Sequence, residues 1–253
     1  MMKQIATASM ILAVIGWGPA AASDYEAALQ DWETVLQQFV DEQGRTDFVA
    51  LSAARGELDR FAAFIAKFSP ASHPDLFPSQ ADQLAYHLNA YNALAMQGVI
   101  DQGIPKDFDG FFKRLSFFKL HKIVVAGDRT SLYDYENGVI RPLGEARVHF
   151  ALNCMVRGCP RLPREPFRAG PLERQLQDAT EEFFARENNI RVDADQGIVY
   201  LSWILDFYRD DFIGSDKRRA LIGYVNRYRA VPVPAHYRVK FLPYDWTINQ
   251  QPH

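Results

Sequence analysis

Cys154 and Cys159 are the chain's two cysteines, and both fall in one stretch, Val148–Pro160, which reads V-H-F-A-L-N-C-M-V-R-G-C-P. His149 stands five residues before the first of them. An apolar run, His149–Leu152, leads into Asn153, and Gly158 and Pro160 bracket Cys159, where regular structure must break. Two chemistries fit these residue types. A thiolate with an imidazole base can attack an acyl carbon, provided a third group orients the base and donors meet the oxyanion. On that reading Cys154 is the nucleophile, His149 the base, and Glu136 or Asn89 the orienting group. The reaction is then hydrolysis or acyl transfer on a peptide-like or amide substrate. Residues five apart face opposite sides of a strand and pair poorly on a helix. The pair therefore needs a turn at Asn153-Cys154, or else His87 or His121 supplies the base.

The competing chemistry is a bond between the two sulfurs. Cys154 and Cys159 are separated by four residues, enough to bring their Cα atoms into bonding range if the chain turns, and Gly158 eases that turn. The domain would then be a non-catalytic envelope-binding or interaction domain with a local disulfide. The two readings conflict while the bond is formed. Zinc held by His149, Cys154 and Cys159 is a third arrangement with suitable ligand types, but its spacing matches no common zinc signature. No metal and no cofactor is expected. Arg141 and Arg147 flank the apolar run and are candidates to bind a substrate carboxylate, against the plainer reading of solvated charge. Asp245 is either a carboxylate partner for a histidine or a turn cap.

The elements that must position these groups are mostly helices. Tyr25–Gln43 places Leu29, Trp32, Val35, Leu36 and Phe39 at helical spacing, with Gly44 as its stop. Phe48–Leu51 reads as a short extended segment and Glu57–Phe68 as a second helix. Ser79, with Asp82 three residues on, opens the strongest helix, which runs to Gly103. Asn89 and Asn92 share a face inside it, against helix propensity, beside the apolar Tyr91. That placement predicts that both are buried and fasten neighbouring loops. Ser131 begins another helix, with Asp134 three residues later, carrying Glu136 and ending near Ile140 before Pro142. Pro171–Arg186 starts with Pro171 at the first helical position, and Ile204–Tyr208 and Lys217–Tyr228 are also helical. Lys122–Ala126 folds back at Gly127-Asp128, and Ile190–Val192 pairs with Ile198–Ser202 across Asp195-Gln196-Gly197, so both read as hairpins. Tyr237–Leu242 is a final strand. This order predicts an α+β fold, with a helix-rich layer packed on a small, mostly antiparallel sheet with β-hairpins. Trp32, Phe61, Leu88, Tyr91, Leu94, Phe150, Leu152 and Leu201 are the expected core.

Composition narrows the class. The chain has 253 residues, 28 Lys and Arg against 31 Asp and Glu, and 48% hydrophobic residues. That balance carries no nucleic-acid footprint. Lys3, the apolar Ile5–Ile15 and Ala20-Ala21-Ala22 have the form of a signal peptide over residues 1–22. A mature domain over 23–253, periplasmic or secreted, is therefore expected, and that setting favours a disulfide. No cysteine follows the apolar run near the cleavage site, and no later stretch reaches the length of a membrane span. Partners are expected among small molecules or peptides, with no nucleic acid and no stable membrane anchor. Lys113, Arg114, Lys119 and Lys122 interleave with Phe111, Phe112, Phe117 and Phe118. That mixture suits either an anionic membrane surface or an aromatic core segment with solvated lysine tips.

Leu88-Asn89-Ala90-Tyr91-Asn92-Ala93, Ser131-Leu132 with Glu136, and His149-Phe150-Ala151-Leu152-Asn153-Cys154 through Cys159-Pro160 resemble the hallmark segments of the domain of unknown function 547 family. Tyr200-Leu201-Ser202, Tyr208-Arg209-Asp210-Asp211-Phe212 and Tyr244-Asp245-Trp246 resemble it as well. The resemblance spans nearly all of the mature chain. It departs at His87, where the family usually carries Trp. It implies a domain and no reaction.

Overall fold

The computed structural model describes residues 19–252, with 19–22 in backbone only. The expected signal peptide therefore lies outside the residues described in full. Helix α1 (Pro19–Phe39) packs on α3 (Gly56–Ile65), where Trp32 stacks on Phe61 with ring centroids 5.7 Å apart. Both rings are fully buried, each contributing roughly 2–3 kcal/mol. Helix α1 ends earlier than its apolar pattern suggests. The Asp41 carboxylate takes the backbone N–H groups of Gln43 and Arg45, and Gly44, at φ 77°, closes that turn. Phe48–Leu51, expected to be extended, is part of helix α2 (Phe48–Ala53). Asp47 caps it by accepting from the Ala50 N–H at 3.0 Å, and Phe48 and Leu51 turn inward together.

Helix α4 (Gln80–Asp101) runs through the centre. Its capping box is present: Ser79 accepts from the Asp82 N–H at 3.1 Å, and Asp82 accepts from the Ser79 N–H at 3.0 Å. Its middle is buried on every face, because α3 and the segments after α4 enclose it. Helix α5 (Phe111–Leu115) runs directly into a π turn, Ser116–Leu120. A two-stranded hairpin follows, β1 (Ile123–Val125) and β2 (Asp128–Thr130), joined by Ala126 and Gly127, both at positive φ. Helix α6 (Leu132–Tyr135), capped by Ser131, also widens into a π turn, Glu136–Ile140.

The second half begins with α7 (Leu172–Ala185), where Pro171 is the capping residue instead of the first helical one. The larger sheet has the order β3-β4-β5. Strands β3 (Ile190–Asp193) and β4 (Ile198–Leu201) form the expected antiparallel hairpin, and β5 (Arg238–Phe241) joins β4 in parallel, with Val199 opposite Val239. A parallel partner needs a crossover. It is supplied by α8 (Ile204–Phe207), α9 (Arg209–Ile213) and α10 (Leu221–Val225). The Lys217–Tyr228 helix shrinks to α10 and a preceding 3-10 turn, Arg218–Ala220. The fold is α+β, largely helical with two small and mostly antiparallel sheets, as the order of elements predicts.

All eight residues predicted as core are buried. They divide between two apolar clusters, one around α1, α3 and α4 and the other around α7, β4 and α10. The segment after β5 returns across the first half. Thr46 donates to Asn249 O, Phe108 to Trp246 O and Ile248 to Lys106 O, each within 3.0 Å. No described helix is long and apolar enough to cross a membrane.

Candidate functional site

His149 lies in a 3-10 turn, Ala146–Phe150, that sits between the two apolar clusters. Val148 and Leu152 enter the first cluster and Phe150 the second, so the segment is held from both sides. His149 is buried, its side chain 1% exposed. It stacks on Tyr208 at 3.8 Å and meets the edge of Phe212 at 5.4 Å. Its Nε2 lies 2.7 Å from Asp211 Oδ2. Arg141 reaches the same carboxylate from the 3-10 turn Arg141–Leu143 that follows the π turn, Nε to Oδ2 at 2.6 Å and Nη2 to Oδ1 at 2.8 Å. Burial works to raise the Asp211 carboxyl, but hydrogen bonds from His149 and Arg141 outweigh it and hold the group well below the usual carboxylate range. An ionised carboxylate only accepts, so Nε2 is the donor.

Glu136 opens the π turn after α6 and is 6% exposed. Tyr91 donates to its Oε2 at 3.0 Å, and the Tyr208 hydroxyl donates to it as well. Burial first, then the Glu136 charge, pushes both phenols far above their ordinary value, so both remain donors. Glu136 makes no ion pair among the described residues within 4 Å.

The cysteine stretch turns immediately after Leu152. Asn92 accepts from the Asn153 N–H at 2.7 Å, and Asn153 donates from its side chain to Pro160 O and accepts from the Met155 N–H, both at 2.7 Å. Met155 then adopts a positive φ of 66°, which costs a residue with a Cβ about 1–2 kcal/mol. The loop brings the Cys154 and Cys159 sulfurs to disulfide distance, with Cα atoms 6.4 Å apart. The Cys154 N–H points at Cys159 Sγ at 3.1 Å. Tyr244 lies over the pair, its Oη 3.4 Å from Cys159 Sγ and 3.9 Å from Cys154 Sγ. The absence of a side chain at Gly158 allows this: a Cβ there would stand 2.9 Å from the Tyr244 ring and 3.0 Å from Asp245 O.

These groups border one cavity of about 510 Å³. Glu136, Arg141, His149, Cys154 and Cys159 all line it, and Asn89 and Arg147 do not. Asn89, offered as an orienting group, works instead as a buried latch. It donates to Phe167 O at 2.8 Å and accepts from the Phe167 N–H at 2.9 Å. Asn92 does the same for Ala151 and Asn153. Arg147 is paired with Glu145 and Glu173. His87 is buried against Tyr135. The carboxylate facing His149 is Asp211, and Asp245 caps a turn by accepting from the Thr247 N–H at 2.9 Å.

The aromatic and basic segment divides between core and rim. Phe117 is buried, stacked on Phe108 at 4.1 Å, while Phe111 and Phe112 are exposed. Arg114 lies over Trp246 at 4.7 Å and Lys119 over Tyr133 at 3.9 Å, and all four border the cavity. Both π turns therefore contribute wall residues, a frequent use of such turns. Among the described residues no three His, Cys, Asp or Glu side chains converge as a metal set.

Sequence reasoning does not single out Asp211, Tyr208 or Tyr91 as site residues; the signals that carry them are the Tyr208–Phe212 motif and, for Tyr91, the Leu88–Ala93 motif. No curated protein and no solved structure matches the chain. Residues 77–184, which carry Asn89, Glu136, His149 and both cysteines, match the family described as "Protein of unknown function, DUF547".

Proposed function

We propose that this chain is a binding domain whose cavity takes a small, peptide-like ligand by a protonated amine or guanidinium. The observation that carries this reading is Glu136: a buried carboxylate at the cavity wall, held by tyrosine hydroxyls and lacking an ion pair among the described residues. A buried charge is costly until it is paired. An incoming cation supplies the pair, and tyrosine faces around it add a cation–π component. Arg114 and Lys119 at the rim suit an anionic end of the same ligand. Binding outside the cytoplasm, in an oxidising compartment, fits the sulfur pairing.

Titration with phenethylamine, followed by tryptophan emission from Trp246, tests the reading. Saturable binding that Glu136→Gln weakens at least about tenfold is expected, the loss of one charged hydrogen bond. Equal or tighter binding of 3-phenylpropionate would show that the rim cations dominate and would overturn it.

A second reading, thiol-dependent hydrolysis or acyl transfer through Cys154 with His149 as base, draws support from Cys154, His149 and Glu136 lining the same cavity. It requires the sulfurs to be reduced and a His149 nitrogen to reach Cys154. A thiol-reactive probe applied across a pH series would detect such a thiolate below neutral pH. An unreactive protein that labels only after reduction leaves binding as the reading.

A further inference from the structure

The two sulfurs at the cavity wall are not equivalent. We infer that the Cys154–Cys159 pair undergoes thiol–disulfide exchange with a thiol entering the cavity, and that Cys154 is the sulfur attacked. Both cysteines are partly exposed and line the cavity, so a small thiol can reach the bond. Cys159 Sγ is the better leaving group because two donors converge on it. The Cys154 N–H lies at 3.1 Å and the Tyr244 hydroxyl at 3.4 Å, the latter 0.5 Å nearer than to Cys154. A bonded sulfur carries no hydrogen, so the phenol is the donor. Burial pushes the Tyr244 hydroxyl up from its ordinary value, so it stays protonated at neutral pH. A leaving thiolate that is better stabilised departs faster, and that selects which sulfur forms the mixed disulfide.

The step balances without a further reagent. An external thiolate attacks Cys154 Sγ, the Cys154–Cys159 bond breaks, and Cys159 leaves as a thiolate facing the Tyr244 hydroxyl. A second external thiolate then attacks the sulfur attached to Cys154. It releases an external disulfide and leaves Cys154 as a thiolate. Two electrons pass from two thiols to the pair, and the thiolates take protons from solvent. The co-reactant class is a low-molecular-weight thiol or a peptide dithiol.

The inference does not rest on the cation reading of Glu136, because the test locates an adduct and does not depend on what that carboxylate holds. Folded, oxidised full-length protein is mixed with excess reduced glutathione, trapped with N-ethylmaleimide and digested with trypsin. Arg157 separates the two cysteines, so peptide 148–157 carries Cys154 and peptide 158–161 carries Cys159. Glutathione on the first peptide and maleimide on the second is the expected result. Tyr244→Phe keeps the ring and removes the donor, and should slow adduct formation about threefold. Glutathione on the second peptide, an even distribution, or no adduct until urea unfolds the chain would each overturn the inference. If Tyr244→Phe does not fold, the position of the adduct in the unmodified protein decides alone.

Discussion

Nε2 of His149 lies 2.7 Å from Oδ2 of Asp211, a residue 62 positions further along the chain. The same oxygen takes Nε of Arg141 at 2.6 Å. One carboxylate therefore fixes an imidazole from the Ala146–Phe150 turn and a guanidinium from the residue directly after the π turn. The ring it fixes is stacked on Tyr208, whose hydroxyl reaches Glu136. Asp211 thus sets the cavity wall from outside the stretch that carries the cysteines.

Asp211→Asn should cost about 2 kcal/mol of unfolding free energy, since it keeps the shape but leaves Arg141 without its charged partner. A urea titration measures it. The native carboxyl is held below its ordinary value, so it contributes stability that is present above the unfolded value of 3.8 and lost as pH falls through that range. The variant should lack that acid-limb loss. A cost under about 0.5 kcal/mol would show that desolvation offsets the pairs.

Helices α4 and α6 are legible because each has a local cause. Ser79 and Ser131 cap as their spacing with Asp82 and Asp134 dictates. The hairpins follow from Gly127 and Gly197 at positive φ. Phe48–Leu51 is ambiguous in sequence because four apolar residues fit either period, and the cap at Asp47 makes it helical. The site was legible only where its residues are close in sequence. Cys154, Cys159 and His149 share a stretch, but the Asp211 and Tyr244 contacts are set by tertiary packing. Arg147 looked like Arg141 in sequence, and only the neighbouring Glu145 and Glu173 separate their uses.

Asn89→Ala should lower stability by about 3 kcal/mol. It strips both hydrogen bonds from the Phe167 backbone and leaves a buried N–H and C=O unpaired, each costing about 1–3 kcal/mol. Thermal unfolding should show a clear fall in midpoint. No change would mean that the Phe167 segment repacks or admits water.

His87 predicts a pH dependence of its own. Burial lowers its pKa from 6.5 to about 4, so it stays neutral beside Tyr135 while the unfolded chain takes up a proton. Stability should therefore fall as pH drops from about 6.5 to 4, by up to about 3 kcal/mol, and level off below. His87→Gln can still bond the Tyr135 hydroxyl but does not titrate, so it should flatten this window. Melting curves across the pH series distinguish the two.

Reduction of the Cys154–Cys159 pair should cost only about 2 kcal/mol, because the loop it closes is short. The loop is held by other means as well. Gly158 donates to Asp245 O at 2.8 Å, Arg157 to Thr247 O at 2.9 Å, and Asn249 to Met155 O at 2.9 Å. These bonds tie the cysteine stretch to the returning C-terminal segment whether or not the sulfurs are joined. The reduced protein should therefore keep its far-UV circular dichroism and unfold at a modestly lower urea concentration with an unchanged slope. A loss above about 4 kcal/mol, beyond what so short a loop can supply, would mean that the sulfur bond and not the C-terminal pairing holds the cavity wall in place.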